Sequence, residues 1–278
     1  MEEFAEARAE VDTHLAAVGV SPIRDDEFIA LRLYTGPMFE KYCAVLRGVP
    51  PGSAFLTRKF QQLCLGNTYP ATIYALDDAL SKLSKISRAE KVYRGVAGLR
   101  LPDEFLTRDE FGVRGGVEYG FLSATTDRSV ALAYASSGSS TGVVYEIQQT
   151  MGSRGADISW CSQYPFEKEV CFAPLLGLEV QEAADGAPAK RIEGGVVVVE
   201  LLASVSHGST EEAPPPELQP LPDSAPSGHL SSRKSKGASI APTASVSAAE
   251  DDVDDGQADG ANVDDGPRLS TYAHTQSL

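Results

Sequence analysis

Lys91-Val92-Tyr93-Arg94 is where the chain changes its period. Upstream, apolar residues recur at helical intervals. Phe4, Val11, Leu15 and Val18 form one stripe closed by Gly19 and Pro22; Ile73, Leu76, Leu80 and Leu83 form another in a helix that Pro70 opens. Between them, Asp25 is placed to cap a short helix through Leu33, Gly36 ends it and Pro37 opens the next. That next helix carries Met38, Tyr42 and Val45 on one face and stops at Gly48-Val49-Pro50-Pro51, after which 55–65 is mixed in pattern. Downstream of Lys91 the apolar segments become short, β-branched or aromatic, and bounded by Gly, Pro or Ser. Strands are expected at 91–94, 118–125, 142–147, 167–172, 178–181 and 195–204. One helix interrupts them, capped by Asp127 and carrying Val130, Leu132 and Tyr134. Helices first and strands later, without regular alternation, give an α+β fold, helical over about 1–88 and β-rich over about 89–207.

The 278 residues carry 39 acidic and 24 basic side chains, a net charge of −15. Residues 208–278 hold 8 of the 17 prolines, 12 acidic against 4 basic residues, and a single aromatic, Tyr272. Such a segment has too little apolar surface to offset its ordering entropy, which divides the chain into a core-forming domain over 1–207 and a disordered acidic tail over 208–278. The tail repeats VDDG at Val253 and Val263 without the alternating ligands and closing Glu of a calcium loop. Its basic cluster, Arg233, Lys234 and Lys236, is too short for a nuclear signal, and the tail's partner is left open.

The acidic balance is opposite to the footprint of a nucleic-acid binder. No apolar run approaches the roughly 18 residues of a membrane span. The acidic, helical start MEEFAEARAE is unlike an export signal, so this reading expects a cytoplasmic protein with neither membrane nor nucleic acid as partner. Cys43, Cys64, Cys161 and Cys171 show no CxxC pairing and fit thiols in a reducing compartment. The histidines, His14, His207, His229 and His274, leave little from which to build a triad or a His-based metal site, so no metal is expected. Chemistry in this domain must run on carboxylates, hydroxyls, arginines and aromatics.

Three features carry such groups. Val92-Tyr93-Arg94-Gly95 ends a strand on an arginine followed by glycine, a guanidinium able to grip phosphate with room for close backbone approach; the plainer reading is a surface ion pair. In Phe121-Leu122-Ser123-Ala124-Thr125-Thr126, Ser123 and Thr125 point to one face of a strand, which is also how a half-exposed strand looks. In Tyr164-Pro165-Phe166-Glu167-Lys168-Glu169-Val170, Glu167 and Glu169 share a strand face with roughly 6–7 Å between Cα atoms. Neighbouring carboxylates can take different jobs, or simply blunt an edge strand. The glycine- and serine-rich stretches around Arg114-Gly115-Gly116 and at 136–142 lack the spacing of a phosphate loop and read as loops.

In this order, an arginine, a hydroxyl strand and a Glu-x-Glu strand after an aromatic loop, the chain resembles the arginine–serine–glutamate mono-ADP-ribosyltransferases. The resemblance covers most of residues 25–205 and includes Tyr34-Thr35-Gly36 and Leu46-Arg47-Gly48. It implies a helical lobe packed on two facing, mainly antiparallel sheets with NAD, a co-substrate, in the cleft. It implies that Arg94 holds the NAD phosphates, Gly95 leaves room beside the nucleotide, and Tyr134 stacks near the nicotinamide. Ser123 would orient the catalytic Glu169, with Thr125 completing the hydroxyl motif. Glu167 would engage the acceptor, an exposed arginine of a partner protein, and Tyr164 would belong to the recognition loop. The sequence departs from the family in reading Ser-Ala-Thr at 123–125, where Ser-Thr-Ser is common, and in carrying Cys43 where relatives often have Asn.

Nicotinamide departure leaves an oxocarbenium-like centre that an oriented carboxylate stabilises, and a protonated guanidinium needs a second carboxylate to take its proton. Transfer to water instead of arginine, making an NAD glycohydrolase, and a catalytically dead NAD-binding scaffold are the alternatives. A sugar hydrolase would explain neither Arg94 nor the hydroxyl strand. The poly-ADP-ribosyl branch has a histidine and a tyrosine where Arg94 and Ser123 stand, so chain elongation is not expected.

Overall fold

The computed structural model describes residues 4–48, 54–138 and 141–205. The expected acidic tail with its VDDG echo and basic cluster, and the stop at Val49-Pro50-Pro51, lie outside the described residues. Five helices come first: α1 (Ala5–Ala17), α2 (Asp25–Leu33), α3 (Phe39–Gly48), α4 (Ala54–Cys64) and α5 (Pro70–Ser84). Leu15, Phe28, Leu31, Tyr42, Leu76, Leu80 and Leu83 fill one core between them. The stretch read as mixed is α4, a regular helix that buries Leu56 and Cys64 and packs Phe60 and Leu63 against Ala44 and Val45. Val18 leaves the expected stripe because α1 ends at Ala17; it is exposed. Asp25 is the first residue of α2 rather than its cap: Glu27 reaches back so that its Oε2 accepts the Arg24 N–H at 2.7 Å. Gly36 does break the helix, with φ −93° and ψ 177°, between Tyr34 and Pro37.

Glu27 also supplies the weld between α2 and α5. Its carboxylate is fully buried, 2.6 Å from Lys82 Nζ and 2.7 Å from Arg24 Nη1. Lys82 Nζ donates as well to the Pro22 carbonyl. Nothing in the helical periodicity signals this pair, which lies 55 residues apart in sequence.

The β-rich part holds β1 (Val92–Val96), β2 (Gly115–Glu118), β3 (Leu122–Thr125), helix α6 (Arg128–Ala135), β4 (Val143–Gln148), β5 (Ala156–Asp157), β6 (Glu169–Phe172), β7 (Leu176–Val180), β8 (Lys190–Glu193) and β9 (Val196–Val205). The strand order is β2-β7-β9-β4-β1-β3-β6-β5, with β8 on β9, and every pairing is antiparallel except β4 with β9. The two wings, β2-β7-β9-β4-β1 and β3-β6-β5, meet through a single register pair, Tyr93 with Thr125. Both send side chains into one core, with Val92, Val96, Ile147, Leu178 and Leu201 from the first wing and Leu122, Ala124, Val170 and Phe172 from the second. The expected α+β architecture, a helical lobe with mainly antiparallel strands, is the one observed; the two facing sheets expected are the two wings of one hydrogen-bonded sheet, joined at Tyr93 and Thr125.

Two expectations change here. The strand foreseen at 118–125 is two strands on different wings: β2 pairs with β7, and β3 with β1 and β6. Glu118 ends the first because its carboxylate turns back to accept the Gly120 N–H at 2.7 Å and is gripped by Arg47 of α3, while Phe121 is drawn into the helical core. Gly115 and Gly116, read as loop, begin β2. A Cβ at Gly115 would lie 1.9 Å from the Leu178 carbonyl oxygen, so glycine is what lets β2 pair with β7. The exposed β8 and the two-residue β5 were not foreseen.

Candidate active site

The strand order brings together what the sequence separates. Arg94 on β1, Ser123 on β3 and Glu169 on β6 stand on three successive strands. Ser123 lies across from Cys171, and Thr125 across from Glu169, so all four share the face turned to the helical lobe; Cys171 belongs to that lobe's core. Ser123 Oγ donates a hydrogen bond to Glu169 Oε1 along the diagonal of this register. Both residues are buried, so the carboxylate is oriented and shielded before any ligand arrives. Tyr34, from the Tyr34-Thr35-Gly36 turn, lies against the same face. Burial, then the nearby Cys171, Cys43 and Glu169, push its phenol well above its ordinary pKa.

Arg94 falls on the same face of β1 as Val92 and Val96 and is half-buried. Its Nη1 donates to the Ser123 carbonyl oxygen at 2.6 Å, fixing the guanidinium beside the hydroxyl strand. No carboxylate among the described residues pairs with it.

The two glutamates are not on one strand face as expected. Glu167 closes a short 3-10 turn, Pro165–Glu167, and Lys168 adopts φ 46° and ψ 53°, the left-handed region, before β6 begins at Glu169. The kink turns Glu167 away from Ser123 and toward α6, where the Tyr134 hydroxyl donates to Glu167 Oε1 at 2.6 Å. Glu167 is 2 % exposed and Tyr134 equally so. Ser123 thus donates to Glu169 and Tyr134 to Glu167.

Thr125 and Gly95 sit where the sequence put them but touch other things. Thr125 is fully buried and its Oγ1 accepts the Asp127 N–H at 2.9 Å, shaping the turn into α6. A Cβ at Gly95 would meet the Ala131 carbonyl oxygen at 1.9 Å, and one at Gly142 the Ala135 carbonyl oxygen at 2.0 Å; these glycines seat α6 against β1 and β4. Asp127 caps that helix as expected, its Oδ1 accepting from Ser129 N–H at 3.0 Å, while Oδ2 pairs with Lys168 Nζ at 3.0 Å. These contacts, Ser129 and Lys168 first among them, lower the Asp127 pKa to about 2. Tyr164 is half-buried in the loop before Glu167, its ring edge-on to the exposed Phe166 at 6.0 Å. The loop is pinned from the helical lobe by Thr35 Oγ1, which accepts from Gln163 N–H, and by Arg32 Nη1, which donates to the Cys161 carbonyl.

Sequence reasoning missed Glu118. It holds Arg47 in a bidentate pair, 2.8 Å on each arm, with both side chains more than nine-tenths buried. Arg47 was quoted as part of the resemblance; its partner lies 71 residues away and no local pattern announces it. Among the described residues no helix is long and apolar enough to cross a membrane.

A helical lobe on a mainly antiparallel sheet, with arginine, serine and glutamate on adjacent strands, defines an ADP-ribosyltransferase-like fold. The family model of NAD:arginine ADP-ribosyltransferases matches residues 2–192, and the chain belongs to that family. It is 31% identical over 163 residues to a Mycobacterium avium (strain 104) protein provisionally named an NAD(+)–arginine ADP-ribosyltransferase, a match covering 58% of this chain and 16% of that one. The chain thus spans about a sixth of the length of that relative. The crystal structure of the ADP-ribosyltransferase Vis, a toxin from Vibrio splendidus, in complex with agmatine superposes with a TM-score of 0.50 at 19% identity, covering 76% of this chain and 88% of that one.

Proposed function

We propose that the chain transfers ADP-ribose from NAD to the guanidinium of an arginine exposed on an acceptor protein and releases nicotinamide. The observation that carries this reading is the pair of buried, separately oriented glutamates beside Arg94, which has no carboxylate partner among the described residues. Arg94 holds the NAD phosphates, its remaining N–H groups making charge-assisted bonds. Glu169, aligned by Ser123, faces the nicotinamide ribose. The glycosidic C–N bond breaks, its electron pair leaves with nicotinamide, and the positive charge that develops on the sugar is stabilised by the carboxylate in a site that excludes water. The acceptor nitrogen then bonds to the same carbon, and its proton passes to Glu167. Tyr164 flanks the acceptor side, while the Tyr134 ring lies toward the nicotinamide and its hydroxyl reaches Glu167.

The catalytic domain is assigned to residues 1–207, a span supported by the family match over 2–192. The net charge of −15 suits a cationic acceptor. The test is the full chain with labelled NAD and agmatine, a free guanidine, beside Glu169→Ala and Glu167→Ala. Wild type should label agmatine. Glu169→Ala should lose both transfer and NAD hydrolysis by about 10²–10³-fold, and Glu167→Ala should keep some hydrolysis while losing transfer. Free ADP-ribose as the sole product would make the chain a glycohydrolase; NAD bound without turnover would make it a scaffold.

A further inference from the structure

Helix α6 grips the turn that carries Glu167 at both of its ends, and its hold on the carboxylate is the buried Tyr134 hydroxyl. We propose that Tyr134 is a positioning residue for Glu167, aiming that carboxylate at the incoming guanidinium, so that it governs how much ADP-ribose reaches arginine rather than water. The inference rests on the transferase reading above and assigns Tyr134 to the acceptor step of that site.

The geometry supports it from several sides. Tyr134 Oη donates to Glu167 Oε1 at 2.6 Å, and both residues are buried, where a hydrogen bond to a charged group is strongest and its loss is felt most. At the other end of the helix, Asp127 Oδ2 holds Lys168 Nζ, and the Thr126 N–H donates to the Lys168 carbonyl at 3.3 Å. Lys168 is the left-handed residue that turns Glu167 off β6. The helix itself is seated without slack, because Gly95 and Gly142 admit its backbone against β1 and β4. Glu169 takes its donor from Ser123 on β3. Disturbing Tyr134 therefore acts first on the carboxylate that serves the acceptor.

The test measures two products at once, ADP-ribosyl-agmatine and free ADP-ribose, from the full chain supplied with NAD and agmatine. Tyr134→Phe removes one oxygen and keeps the ring. It should lower the ratio of transfer to hydrolysis by about tenfold or more and raise the KM for agmatine. Tyr134→His, which returns an N–H donor, should recover part of the ratio. Asp127→Asn keeps an oxygen for the helix cap but drops the charge facing Lys168; it loosens the same turn from its far side and should move the ratio in the same direction. The ratio cancels the folded fraction, so a purely structural defect lowers both products in step. Equal falls in transfer and hydrolysis for Tyr134→Phe, or for Asp127→Asn should Tyr134→Phe not fold, overturn the proposal. A wild-type chain that makes neither product removes the transferase reading itself and this proposal with it.

Discussion

Gly95→Ala is the perturbation that most sharply separates two roles for one residue. As a glycine next to Arg94, proposed to hold the NAD phosphates, it would serve the nucleotide; in the structure it seats α6. An added Cβ would lie 1.9 Å from the Ala131 carbonyl oxygen, 2.8 Å from its carbon and 3.0 Å from Ala135 N. All three are backbone atoms, which cannot rotate aside as a side chain can. Strand β1 and helix α6 would have to part by about 1.1 Å to reach 3.0 Å, the closest approach such atoms make. Overpacking of this kind costs about 1–3 kcal/mol, or roughly 2–12 °C in melting temperature for a domain of this size. The functional cost follows from what α6 carries: a shift near 1 Å at Tyr134 misplaces Glu167, and misplacements of that order cost on the order of 10²-fold. The assay is thermal unfolding of the full chain together with the agmatine-transfer rate, for Gly95→Ala and for Gly142→Ala, whose Cβ would meet Ala135 O at 2.0 Å. Both variants should melt lower and transfer poorly. If Gly95→Ala melts like wild type and only its KM for NAD rises, while Gly142→Ala is silent, the glycine serves the nucleotide and the helix-seating argument is refuted.

Glu27→Ala leaves Lys82 buried and without its closest carboxylate, so it should cost about 3–5 kcal/mol, read as a lowered denaturant midpoint with no change in the agmatine KM at temperatures where the chain stays folded. Arg47→Ala strands the buried Glu118 carboxylate and should destabilise by a similar amount, about 3–5 kcal/mol in chemical unfolding; Arg47→Lys should not restore it, since one ammonium cannot reproduce both arms of the pair. The Asp127 pKa is depressed to about 2 in the folded chain. Its contribution is thus fully present above the unfolded value near 4 and is lost as pH falls through about 2. The gap in melting temperature between wild type and Asp127→Asn should therefore be constant from neutral pH to about 4 and narrow below it; a gap that widens on acidification would contradict the Ser129 and Lys168 contacts.

Helix positions were legible where an apolar stripe meets the helical core: the Ile73–Leu76–Leu80–Leu83 register is the packed face of α5, and Gly36 breaks the chain where the spacing placed the break, whereas α4 read as mixed in pattern. Strands were legible where both faces are buried, as in β4 and β9. They were misread where a polar side chain ends the ladder. Glu118 looks like any strand residue until Arg47, 71 positions upstream, fixes its carboxylate against Gly120. Arg94, Ser123 and Glu169 of the candidate site were picked out by their order, but no local pattern states that β1, β3 and β6 are neighbours. The hydroxyls illustrate the limit from the other side. Alternation puts Ser123 and Thr125 on one face, and the structure agrees, yet Ser123 reaches a carboxylate while Thr125 is spent on the turn into α6.

That difference explains how two glutamates separated by one residue can do two jobs. On a regular strand, Glu167 and Glu169 would project side by side into one environment, and their like charges would compete there. The left-handed Lys168 removes the competition by ending the strand between them, so that one carboxylate is read by β3 and the other by α6. Lysine tolerates this conformation at some cost, since residues with a Cβ disfavour it. The Asp127 ion pair and the Thr126 hydrogen bond, one on its side chain and one on its carbonyl, hold the residue in place. On the proposed reading, specificity for an arginine acceptor over water depends less on which carboxylates the chain carries than on α6 holding Glu167 independently of Glu169, which β3 holds.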